Sequence, residues 1–341
     1  MGKVNGRAVR VKKKDGEKTK NELKELGLID EMRIIGSDDE YVYIPVLEGS
    51  CGRDVVEREL EQREVKKGFR ELLAERFGEE MAKGVLSSYD VVGDIAIIRI
   101  PEELSGNGEK VGKLLLEGDK KVRVVLKKAG GREGEFRVTK LEHLAGEERT
   151  ETEYLENGVR MRLDVSKVYF SPRLSNERKR ITWKVKEGEK VLILFAGVGP
   201  FALEVGKAHP SAQVVGVELN PDAVRYFEEN IQLNKLGNVE AVLGDANEVV
   251  EEKFRGWADR IAMPLPKGAL EFLDAAFAAA NEGCVVHFYS MVEKTEGTGE
   301  IKEKIMEAAE KAGREVEFIF EKEVRPYSAS TVQAVIDFRV R

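Results

Sequence analysis

Lys190-Val191-Leu192-Ile193-Leu194-Phe195-Ala196-Gly197-Val198-Gly199-Pro200-Phe201 decides how the chain is read. Its unbroken apolar run suits a strand buried on both faces, Gly-x-Gly then interrupts it, and Phe201-Ala202-Leu203-Glu204-Val205 restarts as a helix. The stretch predicts a strand-loop-helix turn. Two glycines allow the backbone to pass close beneath a ligand, and the helix N-terminus presents unpaired N–H groups suited to a carboxylate or a phosphate.

The next apolar run, Gln213-Val214-Val215-Gly216-Val217, ends at Glu218, about twenty residues beyond the first glycine. An acid at that strand end accepts hydrogen bonds from ribose hydroxyls, as NAD and S-adenosylmethionine both require. A tight βα turn with no ligand is the other reading of the same residues. Alternation continues: helix 221–234, strand 239–243 ending at Gly244-Asp245, strand 260–263 running into Pro264-Leu265-Pro266-Lys267, helix 268–280, strand 284–289 and helix 300–312. Strands 316–320 and 332–338 follow with no helix between them, so they are expected to be antiparallel neighbours. A Rossmann-like parallel sheet closed by an antiparallel hairpin is the pattern of class I S-adenosylmethionine-dependent methyltransferases, and NAD-dependent dehydrogenases usually lack that hairpin. In that pattern Asp245 meets the adenine amino group, although Asp before Ala246-Asn247-Glu248 is also a helix N-cap. Pro264 to Lys267 would face the acceptor base.

The 341 residues are 42% hydrophobic and 35% charged, with a net charge of -7. Without a long apolar run or a signal peptide, a soluble cytoplasmic protein is expected. Cys51 and Cys284 are far apart and the three histidines do not cluster with them, so neither a disulfide framework nor a zinc site is supported and no metal is expected. An acidic total does not exclude RNA, because binding depends on where positive charge is placed.

Three domains are expected: 1–62, 65–160 and 161–341. The first reads as a small α+β unit with a strand at 8–11, a helix at 18–26 and a hairpin from 33–35 and 41–44; Lys12-Lys13-Lys14 with Lys18 and Lys20 either contact phosphates or form a solvated face. The second reads as a helix at 71–83, a long strand at 91–100, and strands at 122–126 and 135–138 joined by a flexible basic loop, Lys127-Lys128-Ala129-Gly130-Gly131-Arg132, which either faces a substrate or is a disordered turn. Asn157-Gly158 marks a tight hairpin between 151–155 and 159–164.

Val168-Tyr169-Phe170-Ser171-Pro172-Arg173-Leu174-Ser175-Asn176-Glu177-Arg178-Lys179-Arg180 reads as a strand end, a proline turn and a helix entering the nucleotide domain. That places Glu177 and Arg178 near the ligand mouth. A first helical turn whose Glu177 complements the dipole, with its basic cluster in solvent, is the plainer alternative.

Phe170-Ser171-Pro172-Arg173-Leu174 through Glu177-Arg178, then Phe195 to Phe201, Glu218-Leu219-Asn220-Pro221 and Pro264 to Lys267 together resemble the archaeal and eukaryotic tRNA (guanine-N1)-methyltransferases acting on the guanosine 3′ of the anticodon. The resemblance extends over essentially the whole chain and is nearest an archaeal branch, some members of which also methylate C7 of 4-demethylwyosine. It implies S-adenosylmethionine as cofactor, tRNA as partner (anticodon loop and, through the first domain, the elbow) and a monomer. By resemblance, Glu177 is the general base, Arg137 polarises guanine O6 and Arg178 supports both. Tyr169 lines the methionine end of the cofactor with Phe195, Gly197 and Gly199; Glu218 holds the ribose and Asp245 the adenine. Arg173, Pro264, Pro266 and Lys267 face the nucleic acid.

Guanine N1 carries a proton at neutral pH, so its attack on a sulfonium methyl needs that proton removed and charge on O6 stabilised. The base must also leave the anticodon-loop stack, which accounts for an RNA-reading apparatus beyond the catalytic domain. Two departures from the family stand out. Pro264 replaces the usual asparagine, removing a side-chain amide and a backbone N–H, and a pocket without that polar group would admit a bulkier base. Ile193 replaces an acid found in many members, so the cofactor ammonium needs another partner, such as a backbone carbonyl. The rival readings are a single-activity guanine-N1 enzyme, an NAD-dependent oxidoreductase and a non-catalytic RNA-binding protein.

Overall fold

Strand Lys190–Leu194 lies in the interior of a seven-stranded sheet, third from one edge, and its alternate side chains serve two separate cores. Val191 and Ile193 pack with Phe201, Val205 and Phe227, while Leu192 and Leu194 pack with Val217, Met263 and Ala276. A period of two in a strand covered on both faces requires this division, and it explains why the run has no polar member.

The computed structural model describes residues 3–47, 52–62, 67–86, 89–133 and 138–341. They fall into two units, Met1–Gly68 and Phe69–Arg341. In the first, β1 (Lys3–Lys12), β2 (Gly36–Ser37), β3 (Tyr41–Pro45) and β4 (Val55–Glu61) form an antiparallel sheet of order β2-β3-β1-β4. Helix α1 (Gly16–Glu25) covers it through Leu23, which packs with Val9, Ile44 and Val46. The expected strand at 33–35 is displaced: Arg33 makes an isolated bridge to Gln62, and Gly36–Ser37 pairs with β3 instead. Lys12, Lys13, Lys14 and Lys18 are exposed.

The second unit begins with α2 (Phe69–Phe77) and α3 (Glu79–Leu86) where one helix was expected; Gly78, at φ +86°, separates them. The long strand expected at 91–100 is a hairpin, β5 (Asp90–Val92) and β6 (Ile95–Ile98), turning at Gly93. Gly93 has φ +61° and its hydrogen lies where a Cβ would be 2.1 Å from Thr152 Oγ1, so a side chain is excluded twice over. Helix α4 (Gly108–Gly118), unanticipated, packs against β7 (Val124–Glu133) and β8 (Val138–Gly146). Residues 127–132, expected as a flexible loop, continue β7 and pair in part with β8. Most of the strand expected at 135–138 lies outside the described residues.

Hairpin β9 (Glu151–Glu156) and β10 (Val159–Asp164) turns at Asn157 and Gly158, with φ +48° and +80°, as an Asn-Gly turn of primed type requires. It spans the boundary expected at 160, and its Val159 and Met161 share a core with Val191 and Phe201. The hairpin thus packs on the large sheet through Val159 and Met161, while Leu163, Val165 and Val168 share a core with Val92, Ile95 and Val124. Helix α5 (Ser175–Thr182) follows a short turn, Pro172–Leu174.

The large sheet comprises β11 (Lys190–Leu194), β12 (Gln213–Glu218), β13 (Val239–Leu243), β14 (Ala258–Met263), β15 (Ala280–Glu293), β16 (Val316–Pro326) and β17 (Thr331–Val340). Its order is β13-β12-β11-β14-β15-β17-β16, parallel except that β17 runs antiparallel to both neighbours. Helices α6 (Pro200–Ala208) and α7 (Pro221–Leu233) lie on the Val191 face. On the Leu194 face lie α8 (Ala246–Val249), α9 (Leu273–Ala279) and α10 (Gly299–Lys311). The sheet reverses direction of growth at β11 and β14, which opens a crevice at their carboxyl ends.

Candidate active site

The crevice holds a cavity of about 330 Å³ lined by Tyr169, Phe195, Gly197, Glu218, Asp245 and Pro264 among others. Beyond β11, Phe195 takes a positive φ of 61°, rare for a ring-bearing residue, and stacks edge-on against Phe272 with ring centroids 4.7 Å apart. Gly197 and Gly199 also have positive φ, 57° and 86°. The two glycines serve different ends. A Cβ on Gly199 would fall 2.1 Å from Phe227 Cδ2, so its absence lets α7 pack against the turn, and Gly199 is not a cavity residue. At Gly197 the nearest atom to a Cβ would be Tyr169 O at 3.6 Å; this glycine keeps the backbone open toward the cavity.

Glu218 joins the two strand ends. Its Oε2 accepts from Gly197 N at 2.7 Å and its Oε1 from Asn220 N at 2.9 Å. Burial raises its pKa, and the backbone N–H groups of Asn220 and Gly197 partly offset that. Each oxygen keeps a further lone pair for a ligand hydroxyl. Asp245 both caps α8 and lines the cavity: its Oδ1 accepts from Asn247 N at 2.8 Å and Glu248 N at 3.4 Å, which leaves Oδ2 as an acceptor.

Pro264, Pro266 and Lys267 line the cavity opposite, and Pro266 O accepts from Met291 N at 3.0 Å, fixing the loop to β15. Lys267 Nζ donates to Tyr327 OH at 3.1 Å. Ile193 is fully buried in the core on the α6 face and does not reach the cavity, so an acid there would stand among Val191, Ala196 and Phe201.

A second cavity, of about 750 Å³, shares Tyr169, Phe170, Ser171 and Lys267 with the first. Arg99, Lys128, Arg173 and Arg325 line it, with Asp90 and Tyr327. Arg173 belongs here rather than to the first cavity and donates to Asp90 Oδ1 at 2.5 Å. Lys128 belongs to the basic run 127–132 that the sequence offered as facing a substrate, whereas Arg99, Arg325 and Tyr327 were not singled out; the Arg325-Pro326-Tyr327 run at the tip of the closing hairpin was the available signal. Arg137 lies outside the described residues.

Arg178 and Glu177 part company. Arg178 lines the first cavity, 1% exposed, and is bonded to Glu156 and to Ser171 O. Glu177, expected beside it at the mouth, is only 2% exposed and faces the other way. Its Oε2 accepts from Arg180 Nε at 2.7 Å and Tyr289 OH at 2.9 Å, and Lys322 lies 3.7 Å from Oε1. Adjacent helical positions differ by about 100° in direction, and here that turn carries Arg178 to the cavity and Glu177 to Arg180 and Tyr289.

The strand order with its one antiparallel member, the glycine turn, the acid on the second strand and the capping acid on the third define a class I S-adenosylmethionine-dependent methyltransferase. Family models match in three successive segments: the tRNA methyltransferase 5 N-terminal domain over residues 8–53, the TYW2 N-terminal domain over 69–150 and the TRM5/TYW2 methyltransferase domain over 152–318. The chain belongs to the TRM5/TYW2 methyltransferase family. It is 42% identical over 334 residues to tRNA (guanine(37)-N(1))-methyltransferase Trm5b of Pyrococcus abyssi, with 98% of each chain covered. The crystal structure of that protein superposes with a TM-score of 0.79, covering 98% of this chain and 99% of the other. The complex of aTrm5 with tRNALeu is 32% identical with a TM-score of 0.78, over 98% of this chain and 99% of that one. A Nanoarchaeum equitans relative named tRNA (guanine(37)-N(1))/4-demethylwyosine(37)-methyltransferase Taw22 is 35% identical over 269 residues, 64% of this chain and 88% of its own.

Proposed function

We propose that the chain transfers the methyl group of S-adenosylmethionine to N1 of the guanosine at position 37 of tRNA, the nucleoside 3′ of the anticodon, acting as a cytoplasmic monomer. The observation that carries this reading is the junction of the two cavities at Tyr169, Phe170 and Ser171, in a chain that matches Trm5b of Pyrococcus abyssi from end to end. One cavity has the cradle of an adenosyl cofactor, and the other has the cations and aromatic faces that an RNA nucleotide engages.

The donors and acceptors of the first cavity fit the cofactor. Glu218 accepts from the ribose hydroxyls, Asp245 Oδ2 from the adenine amino group, and the Phe195 and Phe272 rings with Leu265 flank the base. Gly197 leaves room beside the Tyr169 carbonyl, which is a partner for the ammonium that Ile193 does not meet. When bound, the cofactor supplies an electrophilic sulfonium methyl. Arg173 and Lys128 hold phosphates of the anticodon loop, Pro264 and Pro266 form a rigid edge for the flipped base, and Lys267, steadied by Tyr327, stands between base and backbone. The elbow of the tRNA falls to the first unit, and polarising guanine O6 is the role that the family resemblance gives Arg137. Glu177 is the candidate acceptor of the N1 proton on one condition: tRNA binding must exchange its bonds to Arg180 and Tyr289 for the base.

A C7 methylation of 4-demethylwyosine is the second reading. The 750 Å³ of the acceptor cavity favours it by leaving space for a tricyclic base, and Pro264, which lines the adjoining cofactor cavity, presents no side-chain amide to a base at the junction. Labelled S-adenosylmethionine with two tRNAs, one bearing guanosine and one bearing 4-demethylwyosine at position 37, tests both readings by nucleoside mass analysis. Product on guanosine alone keeps the first reading and removes the second; binding of NAD in place of S-adenosylmethionine would overturn both.

A further inference from the structure

Tyr169, Phe170 and Ser171 form the wall between the cavities, and one guanidinium secures it. Arg178 donates from Nη1 and Nη2 to Ser171 O at 3.3 and 3.2 Å, and from Nε and Nη2 to the carboxylate of Glu156 at 2.5 and 2.9 Å. Its plane also lies against Phe170 and Phe201, 5.4 and 5.8 Å from the ring centroids. The position of the wall thus depends on what holds Arg178.

Two acids face it, from different elements. Glu156 ends β9, and Glu204 projects from the second turn of α6, with Oε1 3.6 Å from Arg178 Nε. The side chains of Arg178, Glu156 and Glu204 are 1%, 5% and 3% exposed. Two ionised carboxylates against one guanidinium would bury a net negative charge, a state of several kcal/mol penalty even after relaxation. The surrounding groups do not balance it. Tyr154 OH donates to Glu156 Oε2 at 3.1 Å and Asn157 Nδ2 to Glu204 Oε2 at 3.0 Å, both neutral, and Lys207 on α6 is bonded to Gly158 O instead. Glu204 Oε1 is buried with no donor directed at it. A buried acceptor beside another acceptor is resolved by a proton.

We infer that Glu156 and Glu204 share one proton, carried as the Glu204 acid and donated to the Glu156 carboxylate, and that this pair positions Arg178 and through it the Tyr169-to-Ser171 wall for methyl transfer. The balance is simple: one proton and one guanidinium neutralise two carboxylates, and no bond other than O–H is involved. Burial first, and then the hydrogen bond to Glu156, push the Glu204 carboxyl up to about 8, while Glu156, though burial acts to raise it, is kept below its ordinary value by Arg178 and by hydrogen bonds from Glu204 and Tyr154. Loss of the proton at alkaline pH would loosen the wall without touching either ligand. Both acids are positioning residues, and their role rests on the methyltransferase reading above.

Infrared spectroscopy and single-turnover methyl transfer test this together. The wild-type protein should show a protonated-carboxyl band at neutral pH that fades as the pH is raised and that E204Q lacks. Because Gln also donates to Glu156, E204Q should restore most of the rate lost in E204A and should keep it at alkaline pH, where the ratio of E204Q to wild-type rate rises. E156Q should lower the rate on the order of 100-fold through misplacement, with KM for tRNA unchanged. If no such band is present, or if E204Q is as slow as E156Q, the shared proton is refuted. The infrared result does not depend on tRNA, so it stands apart from a failure of the methyltransferase reading, which would appear as a wild-type protein that makes no methylated nucleoside. Thermal melts identify any variant that fails to fold, and the wild-type titration alone then decides.

Discussion

Gly197 donates its backbone N–H to Glu218 Oε2 at 2.7 Å, joining the end of the first strand of the nucleotide fold to the end of the second. One carboxylate thereby fixes the turn and offers its remaining lone pairs to a ribose. E218A should weaken S-adenosylmethionine binding by about 10- to 100-fold, the scale of one or two lost charge-assisted hydrogen bonds. E218Q should fall between it and wild type. Calorimetric titration measures this, and an unchanged Kd would place the cofactor elsewhere.

Gly199 is required by packing. A methyl group there would sit 2.1 Å from the Phe227 ring, at φ +86°. G199A should destabilise the protein by about 2–4 kcal/mol in denaturant unfolding, and F227L should recover part of that loss. Wild-type stability in G199A would show that α7 does not close on the turn as described.

Arg99 and Lys128 line the acceptor cavity and leave the cofactor cavity untouched. R99A and K128A should weaken tRNA binding, each lowering the slope of log affinity against log salt by about 0.7–0.9 if it contacts one phosphate. Affinity for S-adenosylmethionine should not change. Filter binding across a salt series gives the slope, and an unaltered slope in both variants removes them from the RNA path.

Buried His287 donates from Nδ1 to Asp337 Oδ1 at 2.7 Å and receives Arg260 Nη1 on Nε2 at 2.9 Å, a pattern only the neutral ring can satisfy. Burial lowers its pKa from the ordinary 6.5. Asp337 is also held below its ordinary 3.8, since the hydrogen bonds from His287 and Arg180 outweigh burial. Both shifts mean that the unfolded chain binds more protons, so stability rises with pH. The His287 contribution is full above 6.5 and declines as the pH falls below it; that of Asp337 declines below 3.8. The melting temperature should drop between about pH 7 and pH 5. H287Q should melt lower at neutral pH but lose less across that interval, and an equal loss would assign the acid sensitivity to other groups.

The glycine turn, Glu218, Asp245 and the closing hairpin were legible in the sequence because each depends on local chemistry: a buried apolar run, a backbone break, an acid at a strand end. What needed coordinates was direction and distance. Glu177 and Arg178 are neighbours in sequence and both were expected at the mouth, yet their helical phase sends Arg178 to the cavity and Glu177 to Arg180 and Tyr289. Glu156 and Glu204 belong to different elements and converge only because hairpin β9–β10 packs on α6. Gly78 and Gly93 divide a helix and a strand that the apolar pattern alone would run through, since the pattern does not report φ. Helix α4 escaped notice because glycines at both ends and in its middle mask its amphipathic spacing.

Methyl transfer from labelled S-adenosylmethionine to a tRNA transcript with guanosine at position 37, followed by nucleoside mass analysis, tests the central claim most directly. The account predicts 1-methylguanosine at that position and its absence when the guanosine is replaced by another nucleoside. A protein that binds S-adenosylmethionine and tRNA but forms no 1-methylguanosine, or forms it equally on the substituted transcript, would contradict it.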